Sequence, residues 1–338
     1  MGLYAGIDLH SSNNYLGIIN EEDQRIYKHK LPNDMGTILN ALEPFKGEIE
    51  GVVVESTFNW YWLVDGLMEH GYRVHLANPA AITQYEGLKY VDDVYESFFL
   101  AKLLRLGILP EGYLYPREER PVRDLLRKRV QLVRHRTSPI LSIQNIIIRN
   151  TGKRVDSNDL KGLDEGWVNE VFKEEHLVLA VTSSMGVIKY LTEKIKQIER
   201  VVKGRIGLRK EFEGLLSVPG IGNILALTIM VETGDIRRFA EVGNYASYCR
   251  CVRSARISNQ KKKGEGNRKN GNKYLSWAYV EAANFAIRSY PRVHSYYQRK
   301  KAKSNGAVAI KAISNKLSRA SYYIMRDQVV YDEAKLFN

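Results

Sequence analysis

Cysteine is almost missing from this chain of 338 residues: Cys249 and Cys251 are the only two. With no second pair nearby, neither a zinc cage nor a disulfide framework can be built, and both thiols read as small buried or half-buried side chains. Long apolar runs are also missing. No stretch approaches the roughly 18 residues of a spanning helix, and MGLYAGIDLHSS has no basic region ahead of a hydrophobic core. Neither a membrane anchor nor a secretory leader is expected, and the expected location is cytoplasmic. Negative charge is in short supply as well: 38 Asp and Glu against 51 Lys and Arg leave a formal net charge of +13. Such a surplus points to a polyanionic partner, nucleic acid before a membrane surface, and says nothing about fold. The length suffices for two or three domains, each with its own core.

Strand signals dominate the first third. LYAGID at 3–8, YLGII at 15–19, RIYKHK at 25–30 and GVVVE at 51–55 combine apolar content with β-branching, and Asn13, Asn14 and then Glu21 to Gln24 supply turns. Three strands joined by short turns predict an antiparallel meander. Helices over Asp34 to Leu42 and Trp60 to His70, with a strand RVHLAN at 73–78, then change the pattern to β-α-β-α-β. A mixed sheet with helices on its faces is predicted.

Strand ends and helix starts converge on one rim of such a sheet. Asp8 closes the first strand and Glu55 the fourth, while Asp93 and Glu96, three residues apart in VDDVYESFFLAKLL, share a helix face. A two-metal phosphodiester site needs such a set, because Mg²⁺ takes hard oxygen ligands. Asp93 and Glu96 would equally suit a solvated helix start, where the dipole favours acids. Asp8, directly after YAGI, is harder to explain without a cation or partner, since an unpaired charge there is costly.

After Pro110 the chain turns helical and charged. Arg120 to Asn150 is a basic helix with Leu125, Leu126, Val130 and Val133 at helical spacing, and Pro139 is expected to kink or break it. Residues 151–175 read as a connector. A second long helix, about Ser183 to Arg209, carries the stripe Ile188, Leu191, Ile195, Ile198 and Val202, which must bury itself against the first helix or another subunit. LLSVPGIGNILALTIMVETGD then presents a tight turn with Gly220 and Gly222, the helix-hairpin-helix pattern, whose free amides suit a phosphate. From Arg253 to Lys273, eight Lys or Arg stand against one acid, with three glycines interspersed, which predicts a loop gripping phosphates. Its cations are Arg253, Arg256, Lys261, Lys262, Lys263, Arg268, Lys269 and Lys273, and it contains Ser254 and Ser258. The tyrosines of the tail, Tyr290, Tyr296, Tyr297, Tyr322 and Tyr323, suit core packing better than base stacking.

These residues resemble a family. YAGIDLHSSNNYLGI, VVVESTFNWYWLVDGLMEHGYRVHLANP and EGLKYVDDVYESFFLAKLL look like the RuvC-like nuclease domain of the IS110/IS1111-type transposases. ETGDIRRFAEVGNYASYCRCV and KNGNKYLS, from Lys269, look like their C-terminal transposase domain. Asp8, Glu55 and Asp93 match the first three acids of the family's D, E, D, D pattern, while Glu96 stands at the fourth, with Asp92 and Ser97 in place of the flanking Thr and Ala. Ser276 stands where Arg is usual, and Ser258 aligns with the serine nucleophile, with Ser254, four residues earlier, as the competing candidate.

The resemblance implies an α/β plus α protein. A RuvC-like (RNase H-like) mixed sheet would span 1–112, a helical coiled-coil middle 113–209, and a mainly α C-terminal domain with a helix-hairpin-helix 210–328. It implies a DNA transposase-recombinase in which Asp8, Glu55, Asp93 and Glu96 hold Mg²⁺ and Ser258 forms a phosphoseryl intermediate. It further implies donor and target DNA, a structured bridge RNA, and a homo-oligomer, dimer or tetramer. A water-using junction nuclease and a non-catalytic nucleic-acid-binding protein are the alternatives.

Overall fold

The computed structural model describes residues 2–82, 93–205, 210–252, 256–264, 270–332 and 336–337. The chain divides into two compact units, Met1–Leu114 and Tyr115–Asn338.

The first unit is built on a five-stranded sheet: β1 (Leu3–Leu9), β2 (Asn13–Ile19), β3 (Arg25–Pro32), β4 (Ile49–Glu55) and β5 (Val74–Ala77), in the order β3-β2-β1-β4-β5. β1, β2 and β3 pair antiparallel as the predicted meander, and β4 and β5 join in parallel. Helices α1 (Met35–Leu42) and α2 (Tyr61–Glu69) make the intervening connections. Asn13 and Asn14 belong to β2 and not to the turn; Asn14 is buried, and its amide donates to the Pro32 carbonyl at 3.2 Å and to Asn33 Oδ1 at 3.2 Å.

Strand alternation sorts the side chains between two layers. Leu3, Ala5, Ile7, Val52 and Val54 pack with Ile38, Leu42, Leu63 and Leu67 of α1 and α2. Tyr4, Gly6, Asp8, Val53 and Glu55 therefore face the other side, which α3 (Asp93–Arg105) covers through Phe98, Leu100, Ala101 and Leu103. Two glycines set how closely α3 can lie. Gly6 and Gly17 are register partners, and a Cβ on Gly6 would stand 2.0 Å from the Ser97 carbonyl oxygen, one on Gly17 2.7 Å from Ser97 Oγ. The far end of α3 is pinned by Lys102 and Arg105, which reach Asp23 at 3.0 and 2.8 Å.

Among the described residues of the second unit, the strands form one hairpin and the other elements are helices. α4 (Arg120–Thr151) and α6 (Glu175–Arg205) pack along each other, flanking α5 (Glu165–Val171). Ile188 of the α6 stripe joins Ile140, Ile143 and Ile147 of α4, and Val202 joins Leu126, so the stripe is covered by the first helix within the same chain. Helix α6 starts at Glu175, earlier than predicted, because the supposed connector ends in helix formers. Pro139 lies inside α4 without ending it: buried Val130 before it and Ile140 and Ile143 after it hold both flanking turns, and this packing outweighs the lost backbone bond.

The rest comprises α7 (Lys210–Leu216), α8 (Asn223–Thr233), α9 (Val242–Tyr248), the strands β6 (Arg256–Ser258) and β7 (Lys261–Gly264), α10 (Lys273–Ser289), α11 (Pro291–Lys303) and α12 (Gly306–Asp327). α8 is buried from Leu225 to Thr233 and, with α10 and α12, forms the largest core. Tyr322 sits in that core, bonding the Phe239 carbonyl at 3.0 Å, and Tyr296 packs against it. Cys249 and Cys251 are free and buried there, as expected. Among the described residues, no helix is long and apolar enough to cross a membrane.

Candidate active site

Asp8 ends up at the rim because β1 is apolar on both faces up to that residue, and the side chain that follows Ile7 must point at α3. Glu55 occupies the equivalent place at the end of β4, and α3 brings Asp93 and Glu96 over the same rim in its first turn. Potential ligand atoms of Asp8, Glu55 and Glu96 lie within 4.8 Å of one another, and so do those of Asp8, His10 and Asp93. The four acids picked out from the sequence thus share one cluster with Asp8 at its centre.

Asp8 is the deepest member, 1% exposed, and its Oδ2 is buried without a hydrogen-bond partner. Burial raises its carboxyl above the ordinary range; nearby His10 works against this and Asp93 adds to it. Glu55 is pushed up to about 7, first by burial and then by the charges of Asp8 and Glu96. Crowded carboxylates of this kind need either a shared proton or a cation. The buried, undonated oxygen and the short separations fit a divalent cation with hard oxygen ligands.

His10 was not anticipated. Its Nε2 stands 3.3 Å from Asp8 Oδ2 and 3.3 Å from Asp93 Oδ2. The side-chain amides of Asn33 and Asn59, one after β3 and one after β4, both donate to its backbone carbonyl at 3.0 Å. Three loops at the rim are thereby tied at one atom. The available signal was the pair Asp8-x-His10 at a strand end together with asparagines in the loops that meet there.

Ser258 belongs to the other unit. Instead of the predicted loop, β6 and β7 form a two-stranded hairpin, with Ser258 paired to Lys261 beside the turn Asn259-Gln260. Both turn residues have positive φ, 51° and 60°, the pattern of the tight hairpin turn whose twist matches the strands. Lys261 and Lys263 are exposed on β7, and Lys273 is exposed at the start of α10. Arg253, Ser254, Arg268 and Lys269 lie outside the described residues, as do the side chains of Arg256, Ser258 and Lys262.

The hairpin leaves and re-enters the fold at a braced point. Arg250, at φ 53°, donates from Nε to the Asn270 carbonyl at 2.9 Å, and the Asn272 amide bonds the Tyr248 carbonyl at 2.6 Å. Gly271 between them has φ 82°, and a Cβ there would meet the Tyr248 oxygen at 2.5 Å. Asn272 caps α10 and donates to Glu232, a 1%-exposed carboxylate that also takes Arg123 Nε at 3.0 Å and Arg127 Nη2 at 2.8 Å. Burial alone would raise the Glu232 carboxyl; Arg127, Arg123 and Asn272 together outweigh it and hold it below its ordinary value. This node was missed because ETGD reads as the end of a helix.

Gly220 has φ 79°, and its Cβ would strike the Ala282 carbonyl at 2.1 Å, so close packing on α10 already requires a glycine there. Gly222 precedes the first turn of α8 and faces open space. Both line a cavity of about 730 Å³ with Trp277, Phe285, Arg129 and Lys203.

The acids gathered at the strand ends of the mixed sheet and the basic hairpin of the helical unit both fall within stretches matched by transposase family models. A family model described as "Transposase IS116/IS110/IS902 family" matches residues 213–298, and a DEDD-type IS110 model described as "Transposase" matches residues 5–149. The transposase for insertion sequence element IS1328 of Yersinia enterocolitica is 24% identical over 148 residues, 43% of this chain and 44% of that protein. The match thus spans less than half the length of this curated relative. The chain belongs to the IS110/IS116-type transposase family.

Proposed function

We propose that this protein is a DNA transposase-recombinase that cuts and rejoins strands through Ser258. The observation that carries the reading is the cluster around Asp8, with its buried, undonated Oδ2 and three further carboxylates drawn to one rim. In this reading the first unit is a RuvC-like domain, and Asp8, Glu55, Asp93 and Glu96 hold Mg²⁺. When bound, the cation supplies a Lewis acid that neutralises charge on the phosphate oxygens.

Ser258 Oγ attacks phosphorus and loses its proton to solvent or a neighbouring base. The new O–P bond forms as the bond to the leaving sugar oxygen breaks, and that oxygen takes up a proton. A second sugar hydroxyl reverses the step, so bond energy is kept for rejoining. Arg256, Lys261 and Lys262 supply positive charge for the crowded phosphate, and Lys263, Lys273, Arg253, Arg268 and Lys269 grip the backbone. Gly220 and Gly222, in the turn of a helix-hairpin-helix, give α8 amides to a second phosphate.

The division 1–112, 113–209 and 210–328 assigns nuclease sheet, helical arm and transposase domain. In this reading a structured bridge RNA pairs donor and target DNA; the net charge of +13 suits a polyanion of either kind, and duplex RNA would be gripped through shape and backbone. Assembly as a dimer or tetramer would let one subunit's acids serve another's serine.

The test is a trapping experiment. Element-end DNA, its RNA and Mg²⁺ are incubated with protein and denatured; a covalent protein-DNA complex is expected and should vanish in Ser258→Ala. Cleavage that survives Ser258→Ala without an adduct would make the protein a water-using junction nuclease, and activity that survives Asp8→Asn would remove the acids from the chemistry.

A further inference from the structure

His10 is left over once the four acids have been assigned. We propose that it is a fifth ligand of the centre and divides it into two subsites sharing Asp8. One, Asp8-His10-Asp93, contains a nitrogen; the other, Asp8-Glu55-Glu96, is all carboxylate. The inference rests on the acid cluster holding divalent cations and goes beyond it, in naming a ligand and the metal preference that ligand brings.

Geometry carries the argument. Donors on one ion at about 2.1–2.4 Å lie no more than about 4.2–4.8 Å apart. Each triple has potential ligand atoms within 4.8 Å of one another, and only Asp8 belongs to both. The imidazole approaches from the exposed side, its side chain 39% accessible, with Nε2 equally far, 3.3 Å, from an oxygen of each neighbouring acid. The imidazole stands at ion-pair distance from both acids, yet Asp8 Oδ2 accepts no aligned hydrogen bond, so the contact is not spent on a donated proton. The backbone beneath is fixed by Asn33 and Asn59, and the Tyr15 ring meets the imidazole edge-on at 6.0 Å. A ligand held at both backbone and ring arrives with its orientation set.

Ligand chemistry gives the consequence. Mg²⁺ prefers oxygen throughout, whereas imidazole favours first-row transition ions. His10 therefore biases the first subsite towards Mn²⁺ and leaves the second open to Mg²⁺.

The test uses the full chain with Mn²⁺ or Mg²⁺ alone, without DNA. Pulsed electron paramagnetic resonance of bound Mn²⁺ is expected to show nitrogen hyperfine modulation in the wild type and none in His10→Gln. Calorimetry should find Mn²⁺ binding weakened about 10-fold or more in His10→Gln, with Mg²⁺ binding changed less than about 3-fold. Bound Mn²⁺ without nitrogen modulation in the wild type would overturn the proposal, a result that does not depend on how any variant folds. So would modulation that persists in His10→Gln. Either outcome leaves the acid centre intact, whereas undiminished binding of both ions by Asp8→Asn would remove the centre itself.

Discussion

Asn272 donates from Nδ2 to Glu232 Oε2 at 2.7 Å while its Oδ1 accepts from the amides of Tyr274 and Leu275 at 2.8 and 3.1 Å. One side chain thus joins the buried carboxylate at the end of α8 to the first turn of α10, where the serine hairpin re-enters the fold. Arg123 and Arg127 connect the same carboxylate to α4. A strained hairpin exit would otherwise have little to fix it, since β6 and β7 contribute few apolar side chains.

Asn272→Ala removes a helix cap and a hydrogen bond to a buried charge. The two losses together are expected to cost about 2–4 kcal/mol, read as a fall in the denaturation midpoint. Glu232→Gln should cost about 3–5 kcal/mol, because two guanidinium groups lose their counter-charge.

The same carboxylate sets a pH dependence. Its folded pKa lies below the ordinary 4.5, so the folded state binds fewer protons than the unfolded one wherever the two differ. The stabilisation is fully present above about 4.5 and is lost as pH falls through the lower folded value. Thermal melts from pH 6 to pH 3 should show a steep loss in the wild type and a shallower one in Glu232→Gln, measured against its own value at pH 6.

Gly6→Ala tests whether α3 needs contact at backbone distance to deliver Asp93 and Glu96. The new methyl would lie 2.0 Å from the Ser97 carbonyl oxygen and 2.9 Å from the Ala101 nitrogen, both backbone atoms that cannot swing aside. Helix α3 must lift, and an overpacking cost of about 1–3 kcal/mol is expected together with weaker Mn²⁺ binding. Gly71→Ala, in open space at φ 84°, is the control: it should cost stability through backbone strain alone and leave metal binding unchanged.

How much of this was legible differs between the two units. The strands of the first unit were readable because the runs around Ile7 and Val53 are apolar and β-branched, and the acids were readable because they terminate those runs. The face they share follows from counting alternate positions back from Asp8 and Glu55. His10 escaped because a lone histidine after a strand looks like any turn residue until Asn33 and Asn59 converge on it. In the second unit, KKKG carries no apolar alternation and Asn259-Gln260 lacks the glycine that marks a tight turn, so the hairpin read as loop. Glu232 closes an otherwise apolar helix, and only the fold reveals that Arg123 and Arg127 lie opposite it. Pro139 does not break α4, because the packing of Val130, Ile140 and Ile143 on either side, invisible to local propensity, carries the helix through it.

Glu55 gives a pH dependence of opposite sign. With a folded pKa of about 7 against an ordinary 4.5, the folded protein holds its proton longer than the unfolded chain does. Its favourable contribution is complete below about 4.5 and disappears as pH rises through about 7. Without divalent cations, stability should therefore decline between pH 5 and pH 8, and Glu55→Gln should flatten that decline. Adding Mg²⁺ at pH 8 should recover stability in the wild type, because a cation relieves the carboxylate crowding that a proton relieves at low pH.

The turn beside Ser258 supplies the last prediction. Gln260 occupies the left-handed region at φ 60°, where a residue with a Cβ is disfavoured by roughly 1 kcal/mol and glycine is not. Gln260→Gly should therefore close the hairpin more firmly and slow amide hydrogen exchange across 256–264 by about 2–5-fold, the exchange equivalent of that energy. Asn259→Pro should do the reverse, since proline fixes φ near −65° and cannot reach the observed 51°. If the paired state is the one that presents Ser258 to the phosphate, adduct yield follows the same order, glycine variant above wild type above proline variant. A proline variant that forms adduct as fast as wild type would show that the serine acts from an opened hairpin, and the register of Ser258 with Lys261 would then have no part in the chemistry.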